Sequence, residues 1–294
     1  EADNRVQVIH KENGGLSSAR NAGMAIANGK YMGFVDSDDY VDVEMFGNMV
    51  EVLECYPKCD VVKCEVEVEY TYDVSQAELK SSQTYFQNPV NGEMLPGYDV
   101  VQGTDVCAYD KLYRADFLRT NGIKFPEGIN NEDEAFFFEV YCRIRNCYYV
   151  PQRYYHYLRN SEGIMAKQVS AADNGELPDA IKVYGFIAEL LIRENRRDLL
   201  GVLYRHMVGC VQRFIGSPIE YRISRAVSRI LWKSNAFYYA DLICGNDRQW
   251  VQRRVYELMN SWQPDGNETA SVPDDWFPEV AAPKVYLSES PLVS

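Results

Sequence analysis

The feature of this sequence that most constrains its fold is a short apolar run that ends in three carboxylates. Residues 31–35 predict a buried strand, and Asp36, Asp38 and Asp39 follow it directly. So much negative charge at a strand end predicts a bound cation, and oxygen ligands of this kind suit Mg²⁺ or Mn²⁺. Because such a metal usually also holds the phosphates of a substrate, the segment predicts a nucleotide-diphosphate site at the carboxyl edge of a parallel sheet.

The acidic segment has two other interpretations. A calcium loop of the EF-hand type is excluded, because Val41 stands where that loop has its glycine and Gly47 stands where it has its last glutamate. A solvated acidic turn without any ligand stays open.

Length and composition indicate a globular protein with one sizeable core or two modest ones, since 46% of the 294 residues are hydrophobic. The formal net charge of −13 argues against a nucleic-acid partner, because it would repel a phosphate backbone. The eight cysteines include no CxxC pair, so we expect reduced core thiols in a cytoplasmic protein. A zinc site at Cys55, Cys59 and Cys64 is disfavoured, because no histidine pair completes it.

The first 70 residues predict strands and two helices around the acidic segment. Residues 6–9 are β-branched and predict a strand. A helix is expected over residues 19–28, with Ser17 or Ser18 as its N-cap. The second helix is expected after the acidic segment, where Met45, Phe46, Met49 and Leu53 recur at helical spacing until Pro57. Strict alternation of apolar and polar residues over 62–70 predicts a strand with one buried face and a polar face that includes Lys63.

The next part of the chain leaves this pattern and then returns to it. Residues 71–104 are polar and rich in turns, which predicts an excursion from the sheet of the kind that often forms a binding surface. A helix is expected over residues 132–145, capped by Asn130 or Asn131. Residues 148–150 predict a closing strand.

The last third of the chain predicts helices and then an extended or disordered tail over 263–294, where prolines lie among acidic residues. One amphipathic stripe is especially clear, and its polar side is basic. We favour a solvated basic face, with docking on an anionic lipid surface as the second interpretation. The stripe consists of Ile223, Ala226, Val227, Ile230 and Leu231, and the basic side of Arg222, Arg225, Arg229 and Lys233.

A set of motifs occurs in one order along the chain. They are residues 13–23 (Asn-Gly-Gly-Leu-Ser-Ser-Ala-Arg-Asn-Ala-Gly), residues 34–39, Lys111-Leu112-Tyr113, Glu132-Asp133 and residues 155–159. In this order and approximate spacing, the sequence over about residues 4–164 resembles a family 2 glycosyltransferase. Several ordered motifs are much more specific than any single one.

The resemblance implies an α/β fold: an incomplete GT-A, Rossmann-like mixed sheet with flanking helices, followed by an α-helical C-terminal region. The expected domains are a catalytic domain at 1–164, helices at 165–262 and the tail at 263–294. Members of that family begin with a strand, a helix and a second strand that contact the nucleotide, and we expect this chain to start after them. A smaller departure is Tyr109-Asp110, where the family tends to have Trp-Asn.

The resemblance also assigns the metal and catalytic residues. Asp38 is expected to bind Mn²⁺ or Mg²⁺, with Asp36 turned toward the donor and Asp39 supporting. Asp133 is the expected general base and Glu132 the fallback; the dipole of the helix that they begin would keep Asp133 ionised. The alternative is that both acids only stabilise a helix N-terminus.

Further residues are expected around the donor. Asn13, Gly14, Arg20 and Asn21 would line its pocket, with Arg20 suited to a phosphate or a sugar hydroxyl. Pairing of Arg20 with the acidic strand end is the alternative. His156 is a candidate second metal ligand, although a histidine between tyrosines is more often a packed or hydrogen-bonded ring. Its neighbours Tyr155 and Tyr157 could be core residues or a platform for an acceptor sugar, and the sequence leaves both interpretations open.

Together these residues imply an inverting glycosyltransferase that moves a sugar from a nucleotide-diphosphate donor, by default a UDP-sugar, to a hydroxyl of a saccharide or lipid-linked saccharide acceptor. Synthesis of a surface or capsular polysaccharide is the expected role, in the cytoplasm or at the inner face of the membrane. A non-catalytic remnant that binds a donor or partner is the first alternative, and a nucleotidyltransferase is the second.

Overall fold

The computed structural model describes residues 3–129, 131–160 and 180–213, together with Ala226, Val227 and Ile230. The strands are β1 (Tyr31–Gly33), β2 (Tyr40–Val41), β3 (Cys59–Tyr70), β4 (Gly92–Met94), β5 (Lys111–Arg114) and β6 (Asn146–Arg159). The helices are α1 (Gly15–Ile26), α2 (Met45–Cys55), α3 (Gln76–Tyr85), α4 (Tyr98–Gln102), α5 (Ala115–Thr120), α6 (Glu132–Tyr141), α7 (Ala180–Arg193) and α8 (Leu200–Arg213).

The strands form one mixed sheet in the order β1-β5-β3-β6-β2, and β4 also pairs with β6. β3 and β6 run parallel along most of their lengths, whereas β1, β2 and β4 pair antiparallel with their neighbours. Two hydrophobic clusters pack against the sheet, one of them with α2 and the other with α6, α7 and α8. The prediction of a mixed sheet flanked by helices is therefore confirmed.

The strand before the acidic segment is shorter and more exposed than predicted. β1 ends at Gly33, only Met32 is fully buried within it, and Val35 is exposed. In the described part of the chain β1 pairs only with β5, and that pairing is antiparallel. The prediction of a buried strand over residues 31–35 in a parallel sheet is wrong at this point, because an edge strand has a neighbour on one side only.

The predicted strand over residues 6–9 is not formed. A strand exists only where its backbone groups pair with another strand, and no described strand pairs with this segment. Its apolar side chains are exposed, Val8 by 71%. Apolar composition alone predicted this strand, and the missing partner explains the error.

Helix α1 begins four residues earlier than predicted. Gly14 occupies the N-cap position, and Ser17 and Ser18, the predicted caps, are buried inside the helix. A Cβ atom on Gly14 would lie 2.7 Å from the Ser18 Oγ, and Gly15 has a φ of +80°. Gly14 and Gly15 thus permit a backbone turn that larger residues would hinder, and the helix begins before the predicted serine caps at 17 and 18.

The alternating pattern of β3 predicts its burial only in part. From Val66 onward the residues alternate between buried and half-buried, but residues 59–64 are buried on both faces, including Lys63. The two hydrophobic clusters cover this half of the strand from both sides, with Val61 in one and Val62 in the other. The charged side chain of Lys63 is therefore inside the protein and not on a solvated face.

The later elements also differ from their predicted bounds. The excursion over 71–104 contains α3, α4 and β4, and β4 joins the sheet through β6. Helix α6 ends at Tyr141, and the predicted strand over 148–150 is part of the much longer β6. Asn131 is the N-cap of α6 but makes no side-chain cap hydrogen bond, and its φ is 66°.

Helices α7 and α8 belong to the same hydrophobic cluster as α6. Ala226, Val227 and Ile230 of the predicted stripe are buried in this cluster as well. The rest of the stripe, its basic side and the predicted tail lie outside the described residues. Among the described helices, none is long and apolar enough to cross a bilayer.

Candidate active site

Two of the three carboxylates after β1 are held by protein groups. Asp39 accepts a hydrogen bond from the Leu158 backbone N–H at 2.9 Å and one from the Tyr155 hydroxyl at 2.7 Å. The same hydroxyl accepts from the Asp36 backbone N–H at 3.1 Å. Burial raises the pKa of Asp39, and these two donors oppose the rise. The acidic segment is thus anchored to β6, which agrees with a supporting role for Asp39.

Asp38 differs from its neighbours. It is exposed, and its carboxylate makes no hydrogen bond or ion pair with the described residues. No three acidic, histidine or cysteine side chains in the described ranges are grouped closely enough to hold a metal by themselves. A hard cation would therefore need Asp38, its neighbour Asp36 and oxygens from a ligand, which is how Mg²⁺ is usually bound with phosphates.

The guanidinium of Arg20 joins the strand end to the start of α6. Its Nη2 lies 2.7 Å from Asp36 Oδ1, and its Nη1 contacts Asp133 Oδ1 and lies 3.3 Å from Glu132 Oε1. The arginine is buried and lies over the ring of Phe125, 5.0 Å from its centre. The Arg20 guanidinium thus lies between Asp36, the predicted donor-side carboxylate, and Asp133, the predicted base.

Asp133 has an unusual protonation equilibrium. Burial raises its pKa to about 7; Arg20 lowers it, and the charges of Glu132 and Asp36 raise it further. Burial and like charges thus oppose the expected effect of the helix dipole and leave Asp133 only partly ionised at neutral pH, and its role as the base stays a prediction. The side chain keeps 22% of its surface exposed, and a base with a pKa near the working pH transfers protons efficiently.

The residues predicted to line the donor pocket divide into two groups. Arg20 faces the carboxylates, whereas the Asn21 amide binds the Phe125 backbone at 2.8 and 3.0 Å and the Glu127 carboxylate at 3.0 Å. Asn21 thus ties α1 to the loop before α6. Asn13 accepts from the Gly15 N–H at 3.1 Å and shapes the entry of α1 next to Gly14.

His156 lies at the edge of this region with both ring nitrogens engaged. Its Nδ1 lies 2.8 Å from Glu69 Oε1 and its Nε2 lies 3.2 Å from Asp42 Oδ1. Its ring stacks on Tyr40 at 4.3 Å. This geometry agrees with the hydrogen-bonded ring weighed for this residue. Metal ligation by His156 stays a prediction, and it would require one of these carboxylates to be exchanged.

Two features of the site were not predicted. The sequence left Tyr155 open as a core residue or a sugar platform, whereas its hydroxyl links Asp36 to Asp39. Lys63 was placed on a polar face but is fully buried, where it pairs with Asp105 and Asp110. The only sequence signal for Tyr155 is its position beside His156 in an ordered motif.

Comparisons with known proteins agree with this geometry. A family model described as "Glycosyl transferase family 2" matches residues 1–121. EpsH of Bacillus subtilis, named as a glycosyltransferase, is 30% identical over 159 residues, which are 53% of this chain and 45% of EpsH. Staphylococcus aureus TarS, named as a poly(ribitol-phosphate) beta-N-acetylglucosaminyltransferase, is 25% identical over 207 residues, which are 69% of this chain and 34% of TarS. This chain thus spans less than half the length of these two relatives.

A solved structure has a similar fold. The crystal structure of S. aureus TarS 1-349 in complex with UDP-GlcNAc matches with a TM-score of 0.61 and 17% identity, over 85% of this chain and 71% of that one. At this identity the match establishes the fold. Together with the curated relatives, the family match places a glycosyl transferase family 2 domain over residues 1–121 of this chain, and the structural match shows that its fold is GT-A.

Proposed function

We propose that this domain transfers a sugar from a nucleotide-diphosphate donor, a UDP-sugar, to a hydroxyl of a saccharide acceptor with inversion at the anomeric carbon. One observation carries the proposal: the Arg20 guanidinium holds Asp36 on one side and Asp133 on the other. A donor-side carboxylate and a base are then close enough to act on one bond. The complex of TarS with UDP-GlcNAc supports a UDP-sugar as donor.

A divalent cation fits the donor side. The exposed Asp38 carboxylate has no described protein partner, and Asp36 lies two residues before it, so both offer oxygens to Mn²⁺ or Mg²⁺. When bound, the cation would neutralise charge that develops on the diphosphate leaving group. A guanidinium can bind a phosphate through two parallel hydrogen bonds, but Arg20 would first have to exchange a carboxylate, because its Nη2 contacts Asp36 and its Nη1 contacts Asp133.

Asp133 supplies the base. It takes the proton of the acceptor hydroxyl while that oxygen forms a bond to the anomeric carbon, and the bond to the diphosphate breaks with its electron pair. Attack opposite the leaving group turns an α-linked donor into a β-linked product without a covalent intermediate. Glu132 lies next to Asp133 on the same guanidinium and is the second candidate for this role.

The acceptor and the location are part of the proposal. A saccharide or lipid-linked saccharide in surface polysaccharide synthesis fits a domain of this family. Free thiols support a cytoplasmic location, since all seven cysteines in the described ranges are unpaired. Peripheral attachment to the membrane would involve Arg222, Arg225, Arg229 and Lys233, which lie outside those ranges.

The experiment compares Asp38→Ala, Asp133→Asn and a control, Asp116→Ala, which removes an exposed carboxylate on α5. UDP binding by calorimetry should require Mn²⁺ and disappear in Asp38→Ala, but persist in Asp133→Asn and Asp116→Ala. Turnover of UDP-sugars should fall by roughly 10²–10⁴ in Asp133→Asn. Metal-independent UDP binding that survives Asp38→Ala would favour the non-catalytic alternative. Release of pyrophosphate from a nucleoside triphosphate would favour a nucleotidyltransferase.

A further inference from the structure

A continuous row of aromatic rings connects the acidic segment to the surface of α3. We call it the aromatic strip; its members are Tyr155, Tyr109, Tyr157, Phe86 and Tyr85. Neighbouring ring centres lie 4.3, 5.9, 5.9 and 4.9 Å apart along this order. The inner end is part of the site, because the Tyr155 hydroxyl binds Asp39.

The strip becomes more exposed toward its outer end. Tyr155, Tyr109 and Phe86 are buried, Tyr157 is half-buried, and Tyr85 is 54% exposed. Tyr85 is the last residue of α3 and stacks edge-on against Phe86. A ring supported from behind by other rings and open in front is a rigid surface for a ligand.

The inner end of the strip leads toward Asp133 through direct contacts. The Tyr155 hydroxyl donates to Asp39 and accepts from the Asp36 N–H, and the Asp36 carboxylate shares the Arg20 guanidinium with Asp133. The strip therefore extends from the surroundings of the proposed base, at Tyr155, to the exposed ring of Tyr85 on α3.

A charged group is also available beside the strip. The Arg159 guanidinium lies 5.7 Å from the ring centres of both Tyr157 and Tyr70, so it is held between two aromatic faces. It is half-buried, its Nη1 donates to the Tyr70 hydroxyl at 3.3 Å and to the Ser82 hydroxyl at 3.4 Å, and no carboxylate pairs with it in the described ranges. Its other N–H groups are suited to hydroxyl or anionic oxygens of a ligand.

We propose that Tyr85 and Tyr157 form the platform on which the acceptor saccharide stacks, with Arg159 binding its polar edge and Asp133 facing its reacting hydroxyl. This inference rests on the proposed function and adds the acceptor subsite to it. A sugar ring has an apolar face of C–H groups and a rim of hydroxyls, which matches an aromatic surface bordered by hydrogen-bond donors. The excursion over residues 71–104 then supplies Tyr85, and with it one wall of the acceptor site.

The experiment measures saccharide contact by saturation-transfer NMR on the full chain with UDP and Mg²⁺. The probes are methyl β-D-glucopyranoside, methyl β-D-galactopyranoside and methyl N-acetyl-β-D-glucosaminide. Tyr85→Ala should reduce the signal of the sugar C–H protons about five- to tenfold, since one stacked ring contributes that much to binding. Tyr85→Phe should retain most of the signal. Tyr85→Leu, which preserves apolar packing on Phe86, should lose as much as Tyr85→Ala.

The control is Phe186→Ala, which removes an exposed ring on α7 and should leave the signal unchanged. UDP affinity, measured in parallel, should stay within about twofold in all four variants, which separates this inference from the proposed function. A wild-type protein that gives no signal with any probe would overturn the acceptor subsite, and so would a signal that Tyr85→Ala and Tyr85→Leu leave intact. Loss of UDP binding in the wild type would instead overturn the proposed function.

Discussion

Three carboxylates from distant parts of the chain share the guanidinium of Arg20. Asp36 follows β1, whereas Glu132 and Asp133 begin α6, 96 and 97 residues later. Without a cation between them, three such groups would repel one another, and burial would add to the cost. Arg20 therefore acts as an internal counter-ion. The pairing with the acidic strand end that was weighed for Arg20 is present, whereas its phosphate-binding role stays a prediction.

The pKa of Asp133 predicts how activity depends on pH. A general base acts only when it is ionised, so kcat/KM should rise with pH through an apparent pKa near 7. Arg20→Gln should shift this rise in kcat/KM to higher pH, because the Arg20 guanidinium favours the ionised form of Asp133. Initial rates between pH 5 and pH 9 test this. A rise in kcat/KM near pH 4, or a rise that Arg20→Gln leaves at the same pH, would contradict the prediction.

The same shift has a consequence for stability. The folded protein holds a proton on Asp133 that an unfolded chain, with a pKa of about 3.8, has released. Asp133 should therefore lower the free energy of unfolding as the pH rises from about 4 to about 7. Asp133→Asn should remove this part of the pH dependence.

The hydroxyl of Tyr155 gives a second prediction for a single residue. It accepts from the Asp36 N–H and donates to Asp39, so Tyr155→Phe releases the acidic segment while the ring continues to fill its place. We expect kcat/KM to fall about tenfold, close to the effect of one lost hydrogen bond. The matched control is Tyr149→Phe in the same strand. The Tyr149 hydroxyl lies 2.7 Å from the Thr104 hydroxyl and makes no hydrogen bond with the acidic segment. Equal losses in both variants would point to a general packing effect.

At the scale of elements, β3 and β5 are joined by a buried charge cluster. Lys63 and Lys111 are direct neighbours across these strands, and two like charges at such positions repel. Asp105 and Asp110 lie within 2.7–3.1 Å of the two ammonium groups and compensate both charges. Burial lowers the pKa of each lysine, but the two carboxylates outweigh it and raise the pKa of both above the ordinary value, which keeps both charged.

This cluster also accounts for a departure from the family pattern. Asp110 stands where an asparagine is common, and it brings one more negative charge into the core. Lys63 compensates that charge at 3.0 Å. The two residues are therefore expected to depend on each other.

A double-mutant cycle tests this dependence. Lys63→Met leaves a carboxylate unpaired in the core and should lower the free energy of unfolding by about 3–5 kcal/mol. Lys63→Met combined with Asp110→Asn should recover most of the loss, because no uncompensated charge remains. Urea unfolding provides the measurement, with the exposed Lys30→Met as a control that changes little. Strictly additive effects of the two substitutions would contradict the pairing.

At the scale of the whole molecule, the helix that presents Asp133 lies between the sheet and the C-terminal helices. Side chains of α6, α7 and α8 form one hydrophobic cluster, and the Glu134 carboxylate of α6 contacts His206 of α8. The predicted boundary between 164 and 165 stays a prediction. Packing across it nevertheless links the C-terminal helices to the position of the proposed base.

This packing predicts cooperative unfolding of α6 and α7. Leu190 of α7 is fully buried in the shared cluster, so Leu190→Ala should lower the free energy of unfolding by roughly 2–5 kcal/mol. Calorimetry should still record one transition, and hydrogen exchange should accelerate at α6 as well as α7. Faster exchange confined to α7 would show that the C-terminal helices unfold independently. Phe186→Ala on the exposed side of α7 serves as the control.

Several features could be predicted from the sequence because they depend on residues close together in the chain. The acidic segment after an apolar run, the helix over 45–55 and the ordered motifs all have local signals, and the family and the mixed sheet followed from them. The same local signals failed where pairing matters, as at residues 6–9, which are apolar but have no described partner strand.

The tertiary structure alone decided the chemistry of the site. Arg20 contacts carboxylates 16, 112 and 113 residues away, and these contacts bring Asp36 and Asp133 together. Burial decided the pKa of Asp133 and the charge pairing of Lys63, neither of which periodicity predicts. The physical reason is that sequence patterns report which residues are apolar or charged, whereas the desolvation and neighbours of each charge depend on how distant segments pack.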